Sequence, residues 1–269
     1  MRRKQPASPA QVARHIRHVI DRGGSAPYAA SAQRFFQETI QARGWRTAEL
    51  RRVAGRIRRV LRREMGEAFV LAVADQLFRG RIHEEKHMAV MLLEKDAARS
   101  AVPPKRDGVI LRPFRAEGSR AHSRPALDER AFRLFETWLD RVRHWDEHDA
   151  LVHNLLGPMV EAEPSRARRV LAWAGSKNRW RRRAACVALI RGVRERRFFP
   201  EMQRVTTRLL ADRDDMVQKG LGWLLREAAK ADPRRTVPFL MKIRSGASRL
   251  VLRTACETLP AATRRRVLD

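Results

Sequence analysis

Two stretches of the chain set charged side chains beside indole rings at helical spacing. Trp145 and Asp149, in Trp-Asp-Glu-His-Asp, are four residues apart and share one helix face. A carboxylate beside an aromatic wall can stabilise a cationic sugar and orient a water molecule. A structural role is the alternative. Asp146 has the look of an N-cap, which would put Asp149 at the third helical position, where a carboxylate complements the helix dipole. Lys219, Trp223, Arg226 and Lys230 fall at i, i+4, i+7 and i+11 of one helix. Val217, Leu221, Leu224 and Ala228 form a separate apolar stripe there, so Trp223 stands on the basic face. An indole in that setting suits a sugar or base while its neighbours hold phosphates. Alternatively, Trp223 fills a gap between adjacent repeats with an arginine stacked on it.

Arg179, Arg182 and Arg183 open another helix and suit a phosphate clamp, or form a solvated charge run. Trp180 aligns with Ala184 and Val187 and is expected in the core. His83-Glu-Glu-Lys-His87 spells the zinc-peptidase pattern, with Glu84 as its base. No third ligand at the usual spacing follows, and Lys86 interrupts the pattern, so chance occurrence is the expected reading. His144, His148 and His153 are read as surface or packing residues, and no metal site is expected. Cys186 and Cys256 sit inside helical patterns as small core residues. Phosphate-binding glycine loops and nucleophile-elbow signatures do not occur, so no nucleotide cofactor is expected.

The elements that must position these residues are helices. Apolar periodicity marks helices over 12–20, 29–42, 47–61, 65–78 and 82–93, then 127–143, 146–160, 164–174, 177–191, 200–211 and 214–230, with two short ones at the C-terminus. A proline- and arginine-bearing stretch over 99–125 reads as an irregular insertion. Arg183-Ala-Ala-Cys, Lys219-Gly-Leu-Gly and Arg253-Thr-Ala-Cys recur about 35 residues apart, each a cation followed by small residues. The expected fold is therefore all-α: a single domain over 1–269, an α-solenoid of HEAT-like helical repeats, curved, with a basic concave face.

Composition narrows the partner. Fifty-eight Lys and Arg against 30 Asp and Glu give a formal net charge of +28, while 43% of residues are hydrophobic. The chain folds, and its charge calls for a polyanion, above all nucleic acid. An arginine-rich proteome explains the preference for Arg over Lys but not the excess over acids. No run of about 18 apolar residues exists to cross a membrane, and the basic N-terminus has no apolar stretch behind it, so secretion is not expected.

The segments Asp215–Lys230, Asn178–Ala185 and Trp145–Asp149 resemble the signature helices of AlkD-like DNA alkylation repair glycosylases. Gly44-Trp45-Arg46-Thr47 with Arg51 resembles an N-terminal segment of that family more loosely. The resemblance runs from about residue 32 to 259. It implies a monofunctional glycosylase that hydrolyses the N-glycosidic bond of cationic N3- or N7-alkylated purines in double-stranded DNA, without a dedicated base-flipping pocket. Carried over, it makes Asp149 the catalytic carboxylate and Trp145 and Trp223 the walls against the deoxyribose. Arg183, Lys219 and Arg226 become backbone-contacting cations, beside Arg179, Arg182 and Lys230. Phe35 stands where the type enzyme has tyrosine, so a hydroxyl is missing, and 99–125 has no counterpart. A bacterial, cytoplasmic, nucleoid-associated monomer without metal or cofactor is implied. Relatives that only bind damaged or branched DNA supply the rival reading.

Overall fold

The computed structural model describes residues 7–94 and 124–269. Every regular element among them is helical. The chain divides into two compact units, Met1–Ala131 and Phe132–Asp269.

In the first unit, α1 (Pro9–Gly23), α2 (Ala26–Ala32), α3 (Thr47–Met65), α4 (Glu67–Phe78) and α5 (His83–Leu93) follow one another. A reciprocal cap starts α1: Gln11 N–H donates to Ser8 Oγ while the Ser8 N–H donates to Gln11 Oε1. The apolar α4 packs against α1, α3 and α5 and supplies the centre of the core through Val70, Val73, Leu77 and Phe78. The helix expected over 29–42 is shorter. After one 3-10 turn at Gln33–Phe35 the chain leaves the helix. Gln33 stabilises the exit by donating to the Glu38 carbonyl and accepting from the Ile40 N–H. Gly44 then turns the chain at φ +81°, a conformation that favours glycine.

The second unit contains, after the end of α6 (Arg124–Trp138), α7 (Trp145–Leu151), α8 (Gly157–Ala162), α9 (Ser165–Trp173), α10 (Arg179–Val187), α11 (Ile190–Arg194), α12 (Phe199–Leu209), α13 (Asp215–Ala231), α14 (Pro233–Ile243), α15 (Arg249–Ala255) and α16 (Ala261–Leu268). Of the stretch expected to be irregular, 99–123 lies outside the described residues; 124 and 125 open α6.

The sequence repeat becomes a stack. Helices α10, α13 and α15 lie side by side, with α13 in the middle, and α9, α12 and α14 pair with them from the other layer. Asn178, Asp214 and Ser248 cap the three stacked helices with side-chain oxygens, which fixes where each one starts. The small residues following the repeated cation set the spacing. A Cβ at Gly220 would stand 3.1 Å from Arg183 Cγ, and one at Gly222 would stand 2.7 Å from Thr254 Cβ. The array is a helical repeat solenoid.

The segment expected as one helix over 146–160 has a defect in its middle. Between α7 and α8 the turn widens into a π-helix at Val152–Leu156, closed by the Gly157 N–H donating to the Val152 carbonyl. Pro158 explains it. Proline has no N–H for the Asn154 carbonyl, and its ring crowds that carbonyl in a regular helix, so the wider turn relieves both.

Candidate active site

Asp149 lies on the fifth residue of α7, because the helix begins at Trp145 with His144 as its N-cap. Asp146 is therefore not the cap. Glu147 occupies the third position, accepting from the Arg143 N–H at 2.9 Å. The dipole role weighed for Asp149 belongs to Glu147 instead, leaving Asp149 available for tertiary contacts.

Those contacts come from α10 and from its own neighbour. Arg183 donates from Nε to Oδ1 at 3.0 Å and from Nη2 to Oδ2 at 2.8 Å, a fork that matches the carboxylate plane. Its third nitrogen, Nη1, donates to the Met216 carbonyl in the first turn of α13 at 2.7 Å. The guanidinium thus ties three helices at one point. Gly220 makes room for it, since a side chain there would press on the Arg183 stem. His148 Nδ1 lies 2.7 Å from Asp149 Oδ1 and acts as donor, because a carboxylate only accepts.

His148 is fully buried, its ring 5.7 Å from that of Trp180. It lies in the apolar stripe with Leu151, Val152 and Leu155 and is not a surface residue. Trp180 is in the core as expected. Burial pushes the His148 imidazole below its ordinary value, outweighing the opposing pull of Asp149. Burial would raise the Asp149 carboxyl, but the hydrogen bonds from His148 and Arg183 prevail and hold it below the usual range. The result is an ionised carboxylate beside a neutral imidazole. Three of its roughly four acceptor positions are filled from within the described residues.

One helical turn to either side of Asp149 stand the aromatic-facing groups. Trp145, at i−4, opens α7 and is 36% exposed. His153, at i+4, lies in the π-helical turn and stacks on Trp223 of α13, with ring centroids 6.0 Å apart and planes at 27°. The partially exposed Trp223 is thereby joined to the Asp149 helix through His153. Sequence reasoning read both histidines as surface or packing residues and gave them no place at the site. The usable signal was that His153 repeats the phase of Trp145 and Asp149.

The expected phosphate-binding cations fall into two groups. Arg183 is turned inward, its side chain 6% exposed. The others pair with different carboxylates: Lys219 with Asp215 at 2.7 Å and Arg226 with Glu257 at 2.5 Å nearer the surface, Arg179 with Asp214 at 3.1 Å, and Arg182 with the largely buried Asp212 at 2.6 Å. Lys230 lies 3.9 Å from Glu227. Glu257 also lines a cleft of about 660 Å³ with Arg249, Arg253 and Arg264. In the first unit, Phe35 is 74% exposed, and the Arg46 guanidinium lies 5.4 Å from the centre of the Tyr28 ring, an aromatic that the sequence reading did not single out.

The His-Glu-x-x-His segment has a structural use. Glu84 is buried and accepts from the backbone N–H groups of Arg43, Gly44 and Trp45 at 2.7–3.2 Å. It anchors the turn leading into α3, where Trp45 Nε1 donates to the Ile20 carbonyl. A carboxylate so occupied is not the general base that the zinc-peptidase reading requires.

The decisive comparison is with protein families. The family model described as DNA alkylation repair enzyme matches residues 16–259. The chain belongs to the DNA alkylation repair enzyme family. Membership assigns it to DNA repair, as the signature segments implied. A solved structure, the predicted DNA alkylation repair enzyme from Enterococcus faecalis, superposes with a TM-score of 0.67 over 88% of this chain and 97% of its own, at 15% identity. That likeness concerns the fold. No curated protein matches the sequence. Among the described residues of this DNA alkylation repair family member, no helix is long and apolar enough to cross a membrane. Cys186 and Cys256 are buried, and burial pushes the Cys186 thiol up to about 12, far from a reactive thiolate.

Proposed function

We propose that the protein is a monofunctional DNA glycosylase acting on cationic N3- or N7-alkylated purines in duplex DNA. The observation that carries this reading is the Asp149 carboxylate, held ionised by Arg183 and His148 yet with acceptor capacity to spare.

The chemistry asks little else of the protein. An alkylated purine is already cationic, so the N-glycosidic bond breaks without a general acid and the base departs neutral. The sugar is left with oxocarbenium character at C1′, and a fixed negative charge there is worth most in a partly dry site. Asp149 supplies that charge and orients the attacking water; Trp145 and Trp223 wall the deoxyribose. Arg183 acts through Asp149, by orienting it. Lys219, Arg226, Arg179, Arg182 and Lys230 hold the DNA backbone by exchanging their carboxylate partners for phosphates, an exchange that costs least at the exposed Lys219–Asp215 pair. Phe35 contributes an apolar contact to the DNA. Among the described residues Asp149's partners are an arginine and a histidine, not a lysine, which fits hydrolysis without Schiff-base strand cleavage.

A second reading has its own observation. Because Arg183 joins Asp149 to α13, the carboxylate also serves as a structural tie, as a non-catalytic protein binding damaged or branched DNA would use it. Release of free base from duplex DNA containing N7-methylguanine separates the two. The wild type should release base, and Asp149→Asn should release about 10²–10³-fold more slowly while retaining most DNA affinity. Tight binding without release by the wild type would leave the binding reading.

A further inference from the structure

The Asp149 helix carries a second polar group toward Trp223 for which the reading above has no use. His153 is half-buried within the π-helical turn, and its Nδ1 is enclosed without a hydrogen-bond partner among the described residues. One face of the ring is occupied by Trp223. The charged groups around it are Asp149 on its own helical segment, Arg191 and Arg194 from α11, and Glu227 from α13. A π-helical turn costs regular backbone hydrogen bonding and re-aims the side chains it carries, which is why such turns gather at functional sites. Here the re-aimed side chain is an imidazole, between the indole that walls the sugar and the carboxylate that stabilises it.

We infer that His153 is a positioning residue of the excision site, its ring fixing the Trp223 indole and one of its nitrogens holding the attacking water next to Asp149. This rests on the glycosylase reading and deepens it. In the step concerned, the bond between C1′ and the purine nitrogen breaks with its electron pair leaving on the base. The water oxygen forms the new bond to C1′, and the proton it sheds passes to solvent. An imidazole accepts a hydrogen bond from that water only when neutral. Burial is the largest influence keeping it so, reinforced by Arg194 and Arg191, and together they hold the ring below its ordinary value against the pull of Asp149 and Glu227.

The two roles separate by substitution. His153→Phe keeps a ring against Trp223 and removes both nitrogens; His153→Gln keeps a hydrogen-bonding group and removes the ring. Single-turnover release of N7-methylguanine, affinity for the same duplex, and the rate between pH 5 and 8 are measured for each. Losing one oriented hydrogen bond predicts about a tenfold slower release for His153→Phe with affinity unchanged. The wild-type rate should fall as pH drops through the histidine's lowered range, and His153→Phe should lose that acid limb, whereas His153→Gln should recover part of the rate. Should His153→Phe match the wild type in rate and keep its acid limb, the inference is overturned while the glycosylase reading stands. Absence of release by the wild type would remove both together.

Discussion

Arg183 grips both carboxylate oxygens of Asp149 from a helix 34 residues further along the chain, at 3.0 and 2.8 Å, and reaches the Met216 carbonyl with the nitrogen left over. A cation with three such bonds and little exposure has no donor geometry to offer DNA without letting go of Asp149. Its substitution should therefore be felt in both folding and excision. Arg183→Ala is expected to cost about 3 kcal/mol in urea unfolding, the low end for breaking a buried pair, because Asp149 keeps some contact with solvent. Arg183→Lys, which preserves charge but not the fork, should lose much of the same stability. Combined with Asp149→Asn in a double-mutant cycle, Arg183→Ala should show a coupling above 1 kcal/mol; additive losses would contradict the pairing.

His148 gives the folded state a pH dependence. Its ring is neutral when folded because burial lowers its affinity for a proton, whereas in the unfolded chain it titrates near 6.5. Stability is fully present above that value. Below it the unfolded chain gains a proton that the folded one refuses, so stability declines until the folded ring itself protonates, at up to about 1.4 kcal/mol per pH unit. Asp149 titrates below 3.8 and does not act in this window. His153, also lowered, adds to the slope. Urea midpoints at pH 7.5 and 5.5 should differ less in His148→Phe than in the wild type; an unchanged difference would acquit His148.

Salt dependence tests the exposed cations. Lys219 and Lys230 carry partly exposed side chains, each with one carboxylate neighbour among the described residues. If each meets a phosphate, Lys219→Gln should reduce the slope of log K against log salt by about 0.9, and Lys219→Gln with Lys230→Gln by about twice that. A slope identical to wild type would take them out of the DNA interface.

Much of this architecture was legible before any coordinates. The 35-residue recurrence of a cation followed by small residues identified α10, α13 and α15, and these are the helices that stack. The helices expected from 177 and 214 begin within two residues of those positions, at Arg179 and Asp215, behind caps at Asn178 and Asp214 that the sequence reading did not name. What escaped was tertiary or defective. Arg183 lies in a run of arginines that reads as solvent-facing, and nothing local says that one of them reaches a carboxylate in a preceding repeat. The early end of the helix expected over 29–42 depends on Gln33 finding partners at Glu38 and Ile40, a local bond pattern that apolar periodicity does not register. For His148 the sequence left surface and packing roles open, and its phase with Leu151 and Leu155, which places it inside, was not used to choose between them.

The widened turn at Val152–Leu156 amounts to one residue more than a regular helix would hold over the same rise. Removing that residue would swing everything before it by about 100° about the axis relative to Val160 and the core beyond. Trp145 and Asp149 would then point elsewhere, with no letter of their own motif altered. A single-codon insertion or deletion is thus enough to assemble or dismantle this constellation, and a sequence that keeps the tryptophan and aspartate but lacks the extra residue would be a scaffold with its chemistry aimed at the wrong wall.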